Sequence, residues 1–145
     1  MDNATTVVID TSVAAKWYLP EKHHEDARRL RDHFLEGTVD LTAPSVFPYE
    51  VINALRYSGQ FGECELEQAA GTLPSYGIDL VPFHRLEGLV SVAFAIENTI
   101  YDASYIALAA AQDAVVYTAD RKLIDGLTET EYEEYAEHVR SVPSA

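Results

Sequence analysis

The strongest constraint on this chain is a pair of short apolar runs that each give way to an aspartate. Thr6-Val7-Val8-Ile9 leads into Asp10, and Val115-Val116-Tyr117-Thr118 leads through Ala119 into Asp120. Runs this short, β-branched and without polar alternation, read as strands buried on both faces, the pattern of a parallel sheet. The segments between them carry a helical period instead. Strands alternating with helices predict an α/β fold, a mostly parallel sheet covered on both faces. In such a sheet the ligand crevice lies beyond the carboxyl ends of the strands, where both aspartates stand.

The remaining elements follow from apolar spacing and breakers. Thr11-Ser12 is expected to cap a short helix through Lys16 to Leu19, stopped by Pro20. Helices are predicted over Glu25 to Leu35, Ser45 to Tyr57, Glu63 to Leu73, Leu86 to Glu97, Tyr101 to Gln112 and Arg121 to Leu127. Further strands are predicted over Val39 to Ala43 and Ile78 to Phe83, with a last edge strand over His138 to Val142. The segment from Thr128 to Glu137 is acidic and aromatic without a clean period. No repeat or linker interrupts the 145 residues, so 1–145 reads as a single domain.

Charge and cysteine content exclude several classes. The net charge is −14, which argues against broad electrostatic binding of nucleic acid or anionic membrane. It fits either an ordinary solvated acidic surface or adaptation to a salt-rich cytoplasm, where at ~1 M salt a Debye length near 3 Å removes most self-repulsion. The single cysteine, Cys64, forms no intrachain disulfide and no thiolate zinc site, which fits a reducing, cytoplasmic setting. Met1 to Thr6 has neither the basic nor the apolar region of a signal peptide, and Leu89 to Ile96 is too short to span a membrane.

Two more acids sit where helices meet the same edge of the sheet. Glu50 lies one step from the stripe Phe47, Val51, Ala54 and Leu55, and Asp102 opens the alanine-rich helix. Singly, each acid has an ordinary explanation: Asp10, Asp102 and Asp120 as helix caps or first-turn residues, Glu50 as a solvated position. Together they form a set of carboxylates that cannot all stay ionised without a cation. Mg²⁺ and Mn²⁺ prefer such oxygen donors and retain waters able to attack a phosphodiester.

The blocks Val8-Ile9-Asp10-Thr11-Ser12-Val13, Tyr49-Glu50-Val51-Ile52-Asn53-Ala54-Leu55, Tyr101-Asp102-Ala103-Ser104-Tyr105-Ile106-Ala107-Leu108-Ala109 and Tyr117-Thr118-Ala119-Asp120-Arg121-Lys122-Leu123 carry a resemblance. In order, spacing and total length the chain resembles PIN-domain ribonucleases, above all the toxins of VapBC toxin–antitoxin systems. The resemblance implies a three-layer α/β/α fold and an Mg²⁺- or Mn²⁺-dependent endoribonuclease. It assigns Asp10, Glu50, Asp102 and Asp120 to the acidic cluster around the metal, and Ser12 and Thr118 to supporting positions that orient carboxylates or water. It also implies an RNA substrate, a homodimer and a VapB-like antitoxin that reaches into the acidic site. The acidic surface is the departure from what an RNA-binding protein needs.

Other features read as structural. Arg28, Arg29 and Arg31 form a basic cluster that either contacts a phosphate backbone or is balanced by Glu25 and Asp32. Arg56, Arg121 and Lys122 lie close to the acidic blocks and either position a phosphate or pair with an acid. His23, His24 and His33 read as a solvated helix face, while His84 and His138 stand alone. Trp17 and Tyr18 are expected to pack at the edge of the core. No nucleophile elbow or glycine-rich phosphate loop is present. Two alternatives remain open: a receiver-like signalling module, which lacks the expected adjacent acids after the first strand, and a catalytically weak PIN-like scaffold that binds a partner.

Overall fold

The computed structural model describes residues 4–144. A central sheet of five strands runs β1 (Thr5–Ile9), β2 (Val39–Pro44), β3 (Asp79–Val81), β4 (Val115–Thr118) and β5 (Ala136–His138) in chain order. Their spatial order is β3-β2-β1-β4-β5, and each neighbouring pair is parallel. The buried runs are the sheet's centre: Val8 and Ile9 of β1 and Val116 of β4 have no exposed surface. The register sets Val8 against Thr42 on one side and against Val116 on the other.

Among the described residues seven α-helices connect the strands: α1 (Thr11–Ala14), α2 (His24–Leu35), α3 (Phe47–Tyr57), α4 (Glu63–Thr72), α5 (Leu89–Ile96), α6 (Ile100–Gln112) and α7 (Arg121–Leu127). The chain steps outward from β1 to β2 to β3, then crosses back beyond β1 to β4 and β5. Right-handed crossovers running in opposite directions place their helices on opposite faces, which yields three layers. The strand order also differs from the flavodoxin-like order of receiver domains, which disposes of the receiver-like alternative. Helix α6 packs across β1, β2 and β4, and its run from Ala103 to Ala109 is buried. Its alanines allow that close approach, and α5 packs against it in turn. Among the described residues no helix is long and apolar enough to cross a membrane.

Several expected boundaries shift, each for a local reason. The helix after β1 is capped by Asp10, whose side chain accepts from the Thr11 amide, and it tightens into a 3-10 turn over Ala15–Trp17 instead of continuing to Leu19. Helix α3 begins at Phe47 rather than Ser45, with Pro48 in its first turn, where a missing N–H costs nothing. Strand β3 spans only Asp79–Val81, because Pro82 starts a 3-10 turn over Phe83–Arg85. Helix α5 begins at Leu89, after Gly88 at φ 72°.

The last strand is Ala136–His138, not His138 to Val142. Val139 and Val142 are both buried, but they are three residues apart, the spacing a 3-10 turn places on one side. His138 does not stand alone either. Its ring meets that of His23 edge-on with centroids 4.6 Å apart, and burial holds its pKa below the usual histidine value. Trp17 packs as expected: it is buried, and its indole N–H donates to the Ala27 carbonyl at 2.9 Å. In the arginine cluster Arg29 pairs with Asp26 at 3.1 Å, and Arg31 stands 4.0 Å from Asp32.

Candidate functional site

The switch point of a doubly wound sheet lies where the connections diverge, here between β1 and β4. Asp10 leaves β1 at this point and Asp120 follows β4. Asp10 is buried and held by hydrogen bonds from three directions. Its Oδ1 accepts from the Thr11 amide at 2.9 Å, and its Oδ2 accepts from the Ser12 and Thr118 hydroxyls, each at 2.7 Å. Charge-assisted bonds contribute about 1.5–3 kcal/mol each. Burial nonetheless wins, and the Asp10 carboxyl titrates above the usual aspartate range. A carboxylate offers about four lone-pair sites, so these contacts leave one for a ligand.

Ser12 and Thr118, the supporting positions that the resemblance implies, both donate to Asp10, and they do more than hold it. The Thr118 hydroxyl accepts from the Asp120 amide at 3.0 Å, and the Ser12 hydroxyl accepts from the Ala119 amide at 2.9 Å. These two side chains stitch the exit of β1 to the exit of β4. Asp120 caps α7: its Oδ1 accepts from the amides of Lys122 and Leu123. Its other oxygen accepts no bond among the described residues.

The two helical acids meet this edge from the opposite layers. Glu50 in the first turn of α3 receives a 2.6 Å hydrogen bond on Oε1 from the Tyr105 hydroxyl, with Thr11 Oγ1 at 3.4 Å from the same oxygen. Tyr105 is buried, and burial drives its phenol far above the ordinary value, so it serves as a donor at any accessible pH. Thr11 Oγ1 lies 2.9 Å from the Tyr105 hydroxyl and completes the triangle. Asp102 lies in the first turn of α6, and the side chain of Thr99 caps the helix by accepting from the Asp102 amide at 3.0 Å.

Asp102 is the electrostatic focus of the site. Its pKa is raised to about 6, first by burial and then by the charges of Asp10, Asp120 and Glu50, with only Asn98 bonding it in compensation. All four acids are thus brought to one edge, near enough to feel one another. Among the described residues no three His, Cys, Asp or Glu side chains draw close enough to form a preassembled metal cluster. The donor set is all oxygen, and the spacing is loose. Both properties fit a hard cation that keeps part of its water shell.

The ordinary capping role of the acids does not preclude a functional one. Asp10 and Asp120 each cap a helix through Oδ1, while Asp10 Oδ2 is held by the Ser12 and Thr118 hydroxyls and the second oxygen of Asp120 accepts no bond among the described residues. Sequence reasoning missed Tyr105, Thr11 and Asn98. Tyr105 lies inside a mostly apolar helical run and reads as core; its one signal is a phenol among alanine, serine, leucine and isoleucine, since a buried Tyr needs a partner for its hydroxyl.

Comparison with known proteins agrees with this architecture. The PIN domain family model matches residues 7–126. The chain is 31% identical over 126 residues to Ribonuclease VapC3 from Pyrobaculum aerophilum, covering 82% of this chain and 92% of that protein. The crystal structure of PAE2754 from Pyrobaculum aerophilum superposes with a TM-score of 0.64 at 20% identity, over 95% of this chain and 91% of that one, a likeness of fold. With its sheet order, its acids at the switch point and these matches, the chain belongs to the PIN-domain family, in the VapC-type branch.

Proposed function

We propose that this chain is a metal-dependent endoribonuclease, the toxin of a type II toxin–antitoxin pair. The observation that carries the proposal is the convergence of Asp10, Glu50, Asp102 and Asp120 on the switch-point edge of the sheet, where burial first and then the charges of the other three lift Asp102 to about 6. Such mutual repulsion is costly unless a cation repays it. The name of the relative Ribonuclease VapC3 supports the reaction class. On this reading 1–145 is one catalytic domain that works in the cytoplasm as a homodimer. It is restrained by a VapB-like antitoxin, and its acidic surface suits a salt-rich interior.

Asp10, Asp102 and Asp120 would hold Mg²⁺ or Mn²⁺, with Glu50 either a fourth ligand or the base that orients the attacking water. A divalent cation bound there supplies Lewis-acid polarisation of the phosphate and eases deprotonation of water. Ser12 and Thr118 fix Asp10, and Tyr105 fixes Glu50 by one oxygen, leaving the other toward the crevice. In the reaction the water oxygen bonds to phosphorus and the phosphorus–oxygen bond to the leaving ribose breaks. One water proton passes to a carboxylate or solvent, and the departing oxygen takes up a proton. The test is cleavage of a total RNA pool by purified protein with Mg²⁺ or Mn²⁺, against the same reaction with chelator. Cleavage that needs metal is the expected result; metal-independent cleavage, or none from folded and antitoxin-free protein, would overturn the proposal.

The same electrostatics predict a pH-dependent stability. A carboxyl whose folded pKa is raised binds more protons in the folded state than in the unfolded one. Asp102 therefore stabilises the metal-free fold below the unfolded aspartate range, and that stability is lost as pH rises toward about 6. Asp10 shifts in the same direction. Thermal melts in chelator should show a lower Tm at pH 7 than at pH 5. Mg²⁺ should raise Tm at pH 7 and have less effect at pH 5, where protons compete for the same oxygens.

A further inference from the structure

An acidic protein that acts on RNA needs a source of affinity other than a basic surface. The net charge is −14, and several of its few cations are already paired: Lys16 with Glu21, Arg29 with Asp26, Arg31 beside Asp32. Affinity that does not depend on charge is available from base–aromatic stacking, which every base can make. Two aromatic side chains beside the acids are unusually exposed. Tyr49, at 79%, immediately precedes Glu50, and Tyr101, at 60%, immediately precedes Asp102. They come from different helices, α3 and α6, yet line one open pocket of about 430 Å³ together with Val46, Glu50 and Asn53. The face of α3 continues beyond it. Tyr49, Asn53 and Arg56 follow at helical spacing, and Tyr49, Asn53 and Arg56 also border an adjoining pocket. Arg56 is exposed and has no ion pair among the described residues. At 1.5 Å per residue it stands ~9 Å along the helix from Glu50.

We infer that Tyr49 and Tyr101 form a stacking platform for an unpaired nucleobase of single-stranded RNA, with Arg56 holding a phosphate further along the same strand. This rests on the ribonuclease reading and adds to it the side chains that seat the substrate and the path it follows. Asn53 lies between the tyrosines and Arg56, and its amide both donates and accepts, so it can reach the edge of the stacked base. The charge pattern runs in the required order. Carboxylates that take a cation come first, a neutral aromatic shelf comes next, and a free guanidinium ends the track. The tyrosines are positioning residues: they contact the base, not the reacting atoms.

The test measures fluorescence anisotropy of a short, unstructured adenosine–cytidine oligoribonucleotide in Mg²⁺, with the full chain in an Asp10→Asn background that blocks turnover. Tyr49→Ala or Tyr101→Ala should weaken binding by about tenfold to hundredfold, and Tyr49→Phe or Tyr101→Trp should restore it. The slope of log affinity against log salt should be shallow, about −0.7, and Arg56→Ala should remove it. A duplex of the same sequence should bind poorly. Unchanged binding in both tyrosine variants would overturn the inference. So would failure of the phenylalanine and tryptophan variants to rescue, or absence of binding by the parent protein. A change of oligomeric state in Tyr49→Ala with RNA binding intact would overturn it as well and mark the surface as a protein interface. The ribonuclease reading is judged separately, by metal-dependent cleavage of total RNA, so each can fail without the other.

Discussion

Asp10→Asn should lower metal-dependent RNA cleavage by at least ~100-fold while leaving the protein folded. Loss of an outer-shell partner alone typically costs ten- to hundredfold, and Asp10 is the innermost acid of the proposed set. The fold should survive because asparagine keeps the shape and the helix cap. Its carbonyl oxygen can still accept from the Thr11 amide. Its amide nitrogen would then face the hydroxyls of Ser12 and Thr118, which now donate to Asp10 at 2.7 Å. Hydroxyls rotate, and each has a lone pair to offer in place of its proton. Cleavage by wild type and variant run side by side, with circular dichroism to confirm folding, checks this. Equal cleavage by the two proteins would remove Asp10 from the chemistry.

Asp102→Asn should separate activity from stability. In chelator at neutral pH the variant should melt a few degrees above the wild type, because it deletes a charge that burial first, and then Asp10, Asp120 and Glu50, disfavour. In Mg²⁺ the order should narrow or reverse, since the wild type gains a ligand the variant cannot match. Cleavage should fall at least as far as in Asp10→Asn. This is the trade expected where a site is built from mutually repelling groups. A variant less stable than wild type in chelator would mean that the Asn98 contact, not the repulsion, dominates at this position.

Most of the sheet and half of the site's logic can be read from residues in order. Val7 to Ile9 and Val115 to Thr118 have little choice but to be central strands, and the acids at their ends inherit a position from that. β5 is legible only afterwards, because its three residues carry too little apolar pattern to separate from the buried Val139 and Val142 that follow. The site's supporting atoms are hidden for a different reason. Tyr105 and Glu50 are 55 positions apart, and nothing local to either announces the 2.6 Å bond between them. Thr118 and Ser12 were legible as polar residues next to acids, but their amide contacts depend on how closely β1 and β4 exit together.

The strand order has a consequence for synthesis. Strand β1, which leads into Asp10, is made well before β4, one of its two flanking neighbours. Asp10 and the Thr118 that secures it are separated by 108 positions. Contacts this distant form late, after the intervening chain has been gathered in. A growing chain therefore carries its aspartates apart and unassembled until β4 has been translated. A message interrupted before β4 yields fragments without the assembled acids. For a protein proposed to cut RNA, the order of the strands is a safeguard: the acids stand together only once β4 and the start of α7 have been made.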